Sequence, residues 1–131
     1  MKNIHFIGIG GIGMSALADI CIAGGDNVSG SDLRPNNLTE RLKTKGADIY
    51  EGHSEGNVPA DTDIAVRSTC IRDDNPEVIR AEELGVPVIS RGNLLKDIME
   101  SKPSFFTIHS LDDFGNTFIF NRILSRDNDL L

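Results

Sequence analysis

The sequence predicts an α/β domain built on a doubly wound parallel sheet of about five strands, in the order 3-2-1-4-5. Short apolar runs alternate with segments of helical period, the pattern of strand–helix–strand units. A glycine-rich GxGxxG, Gly8-Ile9-Gly10-Gly11-Ile12-Gly13, joins the first run to the first helical segment. The chain has 131 residues, 39% hydrophobic and 25% charged, which suits one soluble globular core. At this length roughly 70% of the unfolded surface can be buried, so one core is affordable and two are not.

The elements follow in order. The first strand is read at Ile4 to Gly8, followed by a helix at Gly11 to Ala23. In that helix Ile12, Ala16, Leu17 and Ile20 form a broad apolar face, and Gly24-Gly25 closes it. A strand at Asn27 to Ser31 precedes a helix at Leu38 to Lys45, stopped by Gly46. Strands at Asp48 to Glu51 and Asp63 to Arg67 come next. A third helix opens at Asn75-Pro76-Glu77, where Asn caps, Pro takes the first helical position and Glu suits the positive end of the dipole. It runs to Leu84 and ends at Gly85; a strand at Pro87 to Ser90 and a helix at Gly92 to Ser101 complete the regular part. Ser104 to His109 reads as a sixth strand, and Arg126 to Leu131 as a frayed tail.

Net charge is −7, with 13 basic and 20 acidic residues, which argues against nucleic acid or an anionic membrane as a partner. Any phosphate must then be held by backbone and a few side chains. Cys21 and Cys70 have no metal-ligand or redox spacing and are expected to be reduced, small core residues. Four glycines, His5 and Asp19 break the N-terminal apolar stretch, so it is neither a signal peptide nor a span, and the expected compartment is the cytoplasm. The scattered Asp61, Asp63, Asp73 and Asp74 carry no metal-site pattern.

The glycine motif, with its strand-to-helix context, marks a Rossmann-like phosphate loop. Gly8 would permit the tight turn, Gly10 the approach of a pyrophosphate and Gly13 close helix–strand packing, with helix amides supplying positive potential. Asp32, at the end of the second strand, is where an acid commonly accepts ribose hydroxyls. These residues alone leave a nicotinamide or flavin site open. They also leave open glycines kept for packing and an Asp32 that merely opens a turn before Pro35.

HFIGIGGIGMSALA (His5 to Ala18), GSDL (Gly30 to Leu33), YEGH (Tyr50 to His53), DDNPE (Asp73 to Glu77) and PVISR (Pro87 to Arg91) fall in order along the chain. Together they resemble the N-terminal domain of the Mur ligases, nearest to the alanine-adding members. The resemblance implies that residues 1–102 are a UDP-binding domain for UDP-N-acetylmuramate in peptidoglycan synthesis. It places the diphosphate on Gly10, Gly11, Ile12, Gly13, Met14 and Ser15, and the uridine near Asp32. His53 and Ser68 would line the same crevice, and Arg91 would meet an anionic group. Each has a plainer alternative: a solvated loop histidine, a hydroxyl satisfying local backbone, an arginine paired with the acidic surface. His5 is expected to be a packed histidine with its ring nitrogens satisfied.

Residues 103–131 depart from the pattern. Where the family continues into the ATP loop GTHGKT, this chain reads Asp112-Asp113-Phe114-Gly115-Asn116-Thr117. The phosphate-pairing lysine is replaced by Asn116, and a carboxylate at roughly 4 Å from a phosphate costs about 4 kcal/mol at an effective dielectric of about 20. ATP and magnesium are therefore expected only in a complete ligase, which makes an acyl phosphate on the muramic carboxylate for alanine's amine to attack. This chain alone is expected to be inactive, with no catalytic residue. Two further readings stay open: a free-standing NAD-binding or nucleotide-sensing domain, and a vestigial interaction domain. In the latter, Phe105, Phe106, Phe114, Phe118 and Phe120 would mediate self-association.

Overall fold

The computed structural model describes residues 1–101, 106–111 and 117–122. Contacts divide the chain into two compact units, Met1–Arg91 and Gly92–Leu131; the boundary expected from the sequence falls further along, after Lys102.

The first unit holds a five-stranded, all-parallel sheet. Its strands are β1 (Asn3–Ile7), β2 (Asn27–Asp32), β3 (Asp48–Glu51), β4 (Ile64–Arg67) and β5 (Val88–Ser90), ordered β3-β2-β1-β4-β5 as expected. Helices α1 (Ile12–Ala23), α2 (Asn37–Thr44) and α3 (Pro76–Glu83) connect them, with a single 3-10 turn at Glu55–Asn57. Central β1 is covered on both faces, so Ile4, His5, Phe6 and Ile7 are all buried, as a parallel sheet between helices requires. Strand alternation sends His5 and Ile7 to one side, beside Ser29 and Ser31 of β2 in register. On that side Ala65 of β4 packs with Ala81 of α3 and with Val86.

Most helix limits fall within a residue of expectation, and the differences have local causes. Gly8 leaves β1 because its φ of +87° turns the chain out of the strand. Helix α2 begins one residue early because Asn36 and Thr39 form a capping box, each side chain bonded to the other's backbone. Asn75 caps α3 through the Glu77 amide, as its Asn-Pro-Glu start predicts. Leu17 and Ile20 of the apolar face expected for α1 are buried, but the buried stripe is rotated from the rest toward Met14, Ala18 and Cys21, and Ile12 is 47% exposed. Ile12 lies in the first turn, beyond the end of β1, and has no sheet beneath it.

In the second unit, α4 (Arg91–Ser101) begins in the last residue of the first unit and continues to Ser101. β6 (Phe106–Leu111) pairs antiparallel with β7 (Thr117–Arg122) in a separate two-stranded sheet. An ATP loop of the GxxxxGK[ST] type leads into a helix; here the residues that follow are a strand. The divergent loop itself, 112–116, and the tail from 123 lie outside the described residues, as do the side chains of the five phenylalanines.

Candidate functional site

A cavity of about 400 Å³ opens at the carboxyl ends of β1, β2 and β4, the point where the strand order reverses and open α/β sheets bind their ligands. Gly8, Gly11, Ile12, Gly13, Met14, Asp32, His53, Ser68 and Arg91 border it, with Leu33 and the segment Thr69 to Ile71. Eight of the ten residues expected from the sequence thus line it; Gly10 and Ser15 do not. A second cavity, of about 470 Å³, opens at the amino ends of the strands, lined by Asp26, Asp48 and Asp61 beside Lys45. Its carboxylates and the nearby helix C-termini make it hostile to anions, so its larger volume does not make it the ligand site.

At the first cavity the N-terminus of α1 is open. Its N-cap, Gly11, makes no side-chain capping bond and the first turn carries no acidic residue. The first amides of a helix have no partner within it, so those of Ile12, Gly13 and Met14 remain donors with a favourable dipole behind them. Arg91 lies over this end: a Cβ on Gly13 would come 2.2 Å from its Nη1. The glycine therefore makes room for a guanidinium rather than for a strand. Among the described residues no carboxylate pairs with Arg91. A cation held against the positive end of a helix is a repulsive arrangement that an anion between them would relieve.

Gly10 and Ser15 serve the scaffold. The Gly10 amide donates to Asp32 Oδ2 at 2.8 Å, and a Cβ there would sit 2.8 Å from the same oxygen. The Ser15 hydroxyl is buried and donates to the Ile12 carbonyl. Asp32 also accepts the Arg34 amide on Oδ1, so it fastens the glycine loop to the end of β2 while bordering the cavity. A carboxylate has lone pairs left for a ligand hydroxyl. Asn36, unremarked in the sequence, donates to the Gly10 carbonyl and completes this brace.

Beneath the cavity lies a polar cluster centred on Glu77, fully buried in the first turn of α3. Its Oε1 accepts His5 Nε2 at 2.6 Å and the Ser31 hydroxyl at 2.8 Å. Its Oε2 accepts Asn57 Nδ2 at 2.9 Å, the Ser54 amide at 3.1 Å and His53 Nδ1 at 3.3 Å. Burial alone would raise this carboxyl, but hydrogen bonds from His5, Asn57 and Ser31, with the charge attraction of His5, prevail and lower it from 4.5 to about 2. His5 is the packed histidine expected, its Nδ1 on Ser29 Oγ at 2.7 Å. The sequence alone predicts only a helix-end role for Glu77. The signal for more was three polar residues, His5, Ser29 and Ser31, at alternate positions of two buried strands, which need an acceptor facing them.

Comparison with known proteins agrees with this geometry. The family model described as "Mur ligase family, catalytic domain" matches residues 3–103. The chain belongs to the Mur ligase family. Its relatives include the UDP-N-acetylmuramate--L-alanine ligases of Acetivibrio thermocellus, 49% identical over 102 residues, and Geobacter sulfurreducens, 48% identical over 102 residues. Each alignment covers 78% of this chain and 22% of the relative, so the chain spans about a fifth of the length of these curated relatives. Among solved structures, the UDP-N-acetylmuramate-alanine ligase of Thermotoga maritima superposes with a TM-score of 0.73 at 38% identity, over 77% of this chain and 23% of that one. The UDP-N-acetylmuramate:L-alanyl-gamma-D-glutamyl-meso-diaminopimelate ligase from Neisseria meningitides gives 0.67 at 33%, over 74% and 31%. Among the described residues of this Mur ligase domain, no helix is long and apolar enough to cross a membrane.

Proposed function

We propose that the chain binds UDP-N-acetylmuramate as the N-terminal substrate domain of an ATP-dependent, alanine-adding ligase of peptidoglycan synthesis in the cytoplasm. The observation that carries this reading is the open N-terminus of α1 with the Arg91 guanidinium laid over Gly13, inside a cavity at the sheet's switch point. A diphosphate has the charge and the acceptors for both: backbone amides take its oxygens and the guanidinium adds charge-assisted bonds. Exposed Ile12 and Leu33 give the cavity an apolar rim for a flat base, and Asp32, His53 and Ser68 give it polar ends for the nucleoside.

The role of these residues is to bind and orient. The domain comprises 1–102, and 103–131 is a divergent tail. Asp112, Asp113 and Asn116 do not suit nucleotide phosphates, so ATP and magnesium belong to the complete ligase and no step is routed through them here.

Titration of the purified chain with UDP-N-acetylmuramate, and separately with NAD, tests the reading. Amide NMR shifts at Gly11, Gly13, Asp32 and His53 report on the cavity. Exposed Cys70 borders it while Cys21 is buried, so a thiol reagent gives a second readout. Saturable shifts and protection of Cys70 by the UDP-sugar alone are expected. Saturation by NAD alone, or by neither, refutes the reading.

A further inference from the structure

The Glu77 cluster constrains one cavity residue in a way that bears on which ligand the site accepts. Ionised Glu77 has only acceptors. The single proton of the Ser31 hydroxyl therefore points to Glu77 Oε1, 2.8 Å away, and Ser31 Oγ can offer His53 only a lone pair. His53 Nδ1 sits 3.0 Å from that Oγ and 3.3 Å from Glu77 Oε2, both acceptors. Nδ1 must then carry the ring proton. In the neutral ring Nε2 is left bare, and among the described residues it has no hydrogen-bond partner while the ring borders the cavity. The side chain is 11% exposed, so water competes poorly for that nitrogen.

We infer that Glu77, directly through Oε2 and indirectly through Ser31, is a positioning residue that locks His53 in the Nδ1–H tautomer, so that Nε2 presents a lone pair to the cavity and selects a ligand bearing an N–H donor there. This rests on the proposed function, and it deepens it. A uracil base offers an N3–H donor, whereas the same position of cytosine is an acceptor and would face Nε2 lone pair to lone pair. The site thus discriminates between the two pyrimidines through a buried carboxylate that touches neither. The logic is that of a histidine whose outward nitrogen is set by the bond its other nitrogen makes. A buried polar group left unpaired by the wrong ligand is what gives such sites their selectivity.

The experiment uses the full chain. Long-range proton–nitrogen NMR distinguishes protonated from bare ring nitrogens, and titrations with UDP and CDP give the preference. In the neutral ring a protonated Nδ1 and a bare Nε2, and UDP binding tighter than CDP by about tenfold or more, are expected, tenfold being what about 1.4 kcal/mol provides. In Glu77→Gln the amide can donate toward His53 or Ser31, so the ring nitrogens should become a mixture and the preference should fall to within about threefold. A merely structural role would lower stability without moving the tautomer signature. Should Glu77→Gln fail to fold, the ring nitrogens and the UDP-to-CDP preference of the unaltered chain still decide the matter, and Ser31→Ala, in which Glu77 Oε2 still faces Nδ1, should keep Nδ1 protonated. A protonated Nε2 in the unaltered chain overturns the positioning role. Equal binding of UDP and CDP with a bare Nε2 overturns the base selection alone. Failure of UDP to bind at all overturns the proposed function, and the base selection with it.

Discussion

Protonating Glu77 should remove a measurable part of the fold's stability. Burial alone would raise its carboxyl, but the donors that converge on its two oxygens, His5, Asn57 and Ser31 foremost, outweigh it and lower the value from 4.5 to about 2. A folded-state value below the unfolded one means that the unfolded chain takes up the proton first as pH falls. The stabilisation is therefore complete above about 4.5 and is lost as pH falls toward about 2. At about 1.4 kcal/mol per pH unit this amounts to about 3 kcal/mol. The comparison that isolates it is Glu77→Gln, whose amide keeps the shape but cannot ionise. At neutral pH the variant should be less stable by about 3 kcal/mol, since one side of the amide now presents hydrogens to donors. That deficit should shrink steadily below about pH 4.5. Urea unfolding followed by circular dichroism reads it: with a slope of about 1.5 kcal/mol per molar, 3 kcal/mol moves the midpoint by about 2 M. Midpoints for the two chains that stay equally far apart from neutral pH down to about 2 would refute the account of Glu77.

Two further outcomes follow from the loop geometry. Gly13→Ala places a Cβ where the Arg91 guanidinium now lies; UDP-sugar binding by calorimetry should weaken about tenfold, with stability changed by less than about 1 kcal/mol because alanine favours the helix. Asn36→Ala removes the α2 cap and the bond to the Gly10 carbonyl together, and should cost about 1–2 kcal/mol in urea unfolding while hydrogen exchange at the Gly10 loop accelerates.

What could be read from the chain was whatever is encoded within a few residues. Asn75-Pro76-Glu77 specifies a helix start by itself, and Gly46 and Gly85, at φ of +105° and +74°, end their helices because only glycine takes that backbone without strain. Alternating apolar runs placed the five strands and, with the glycine loop, the crevice, whereas His53, Ser68 and Arg91 came only from the resemblance to the Mur ligases. The rotation of α1 was not legible, because the apolar residue Ile12 is exposed by its position beyond the sheet rather than by any feature of its neighbours in sequence. Nor was the duty of Gly13 or Gly10, whose missing side chains accommodate Arg91 and Asp32 from elsewhere in the chain.

The sequence alone determined a doubly wound parallel sheet with a glycine-rich loop at its switch point, since hydrophobic period and turn chemistry are local properties. Only the tertiary structure decided the partners of Glu77, which reach it across 72 residues from His5, 46 from Ser31 and 24 from His53. Those separations carry no pattern of their own. Strand register and the docking of α3 bring the groups together, and the low dielectric of a buried face then makes a single carboxylate govern a histidine at the cavity wall.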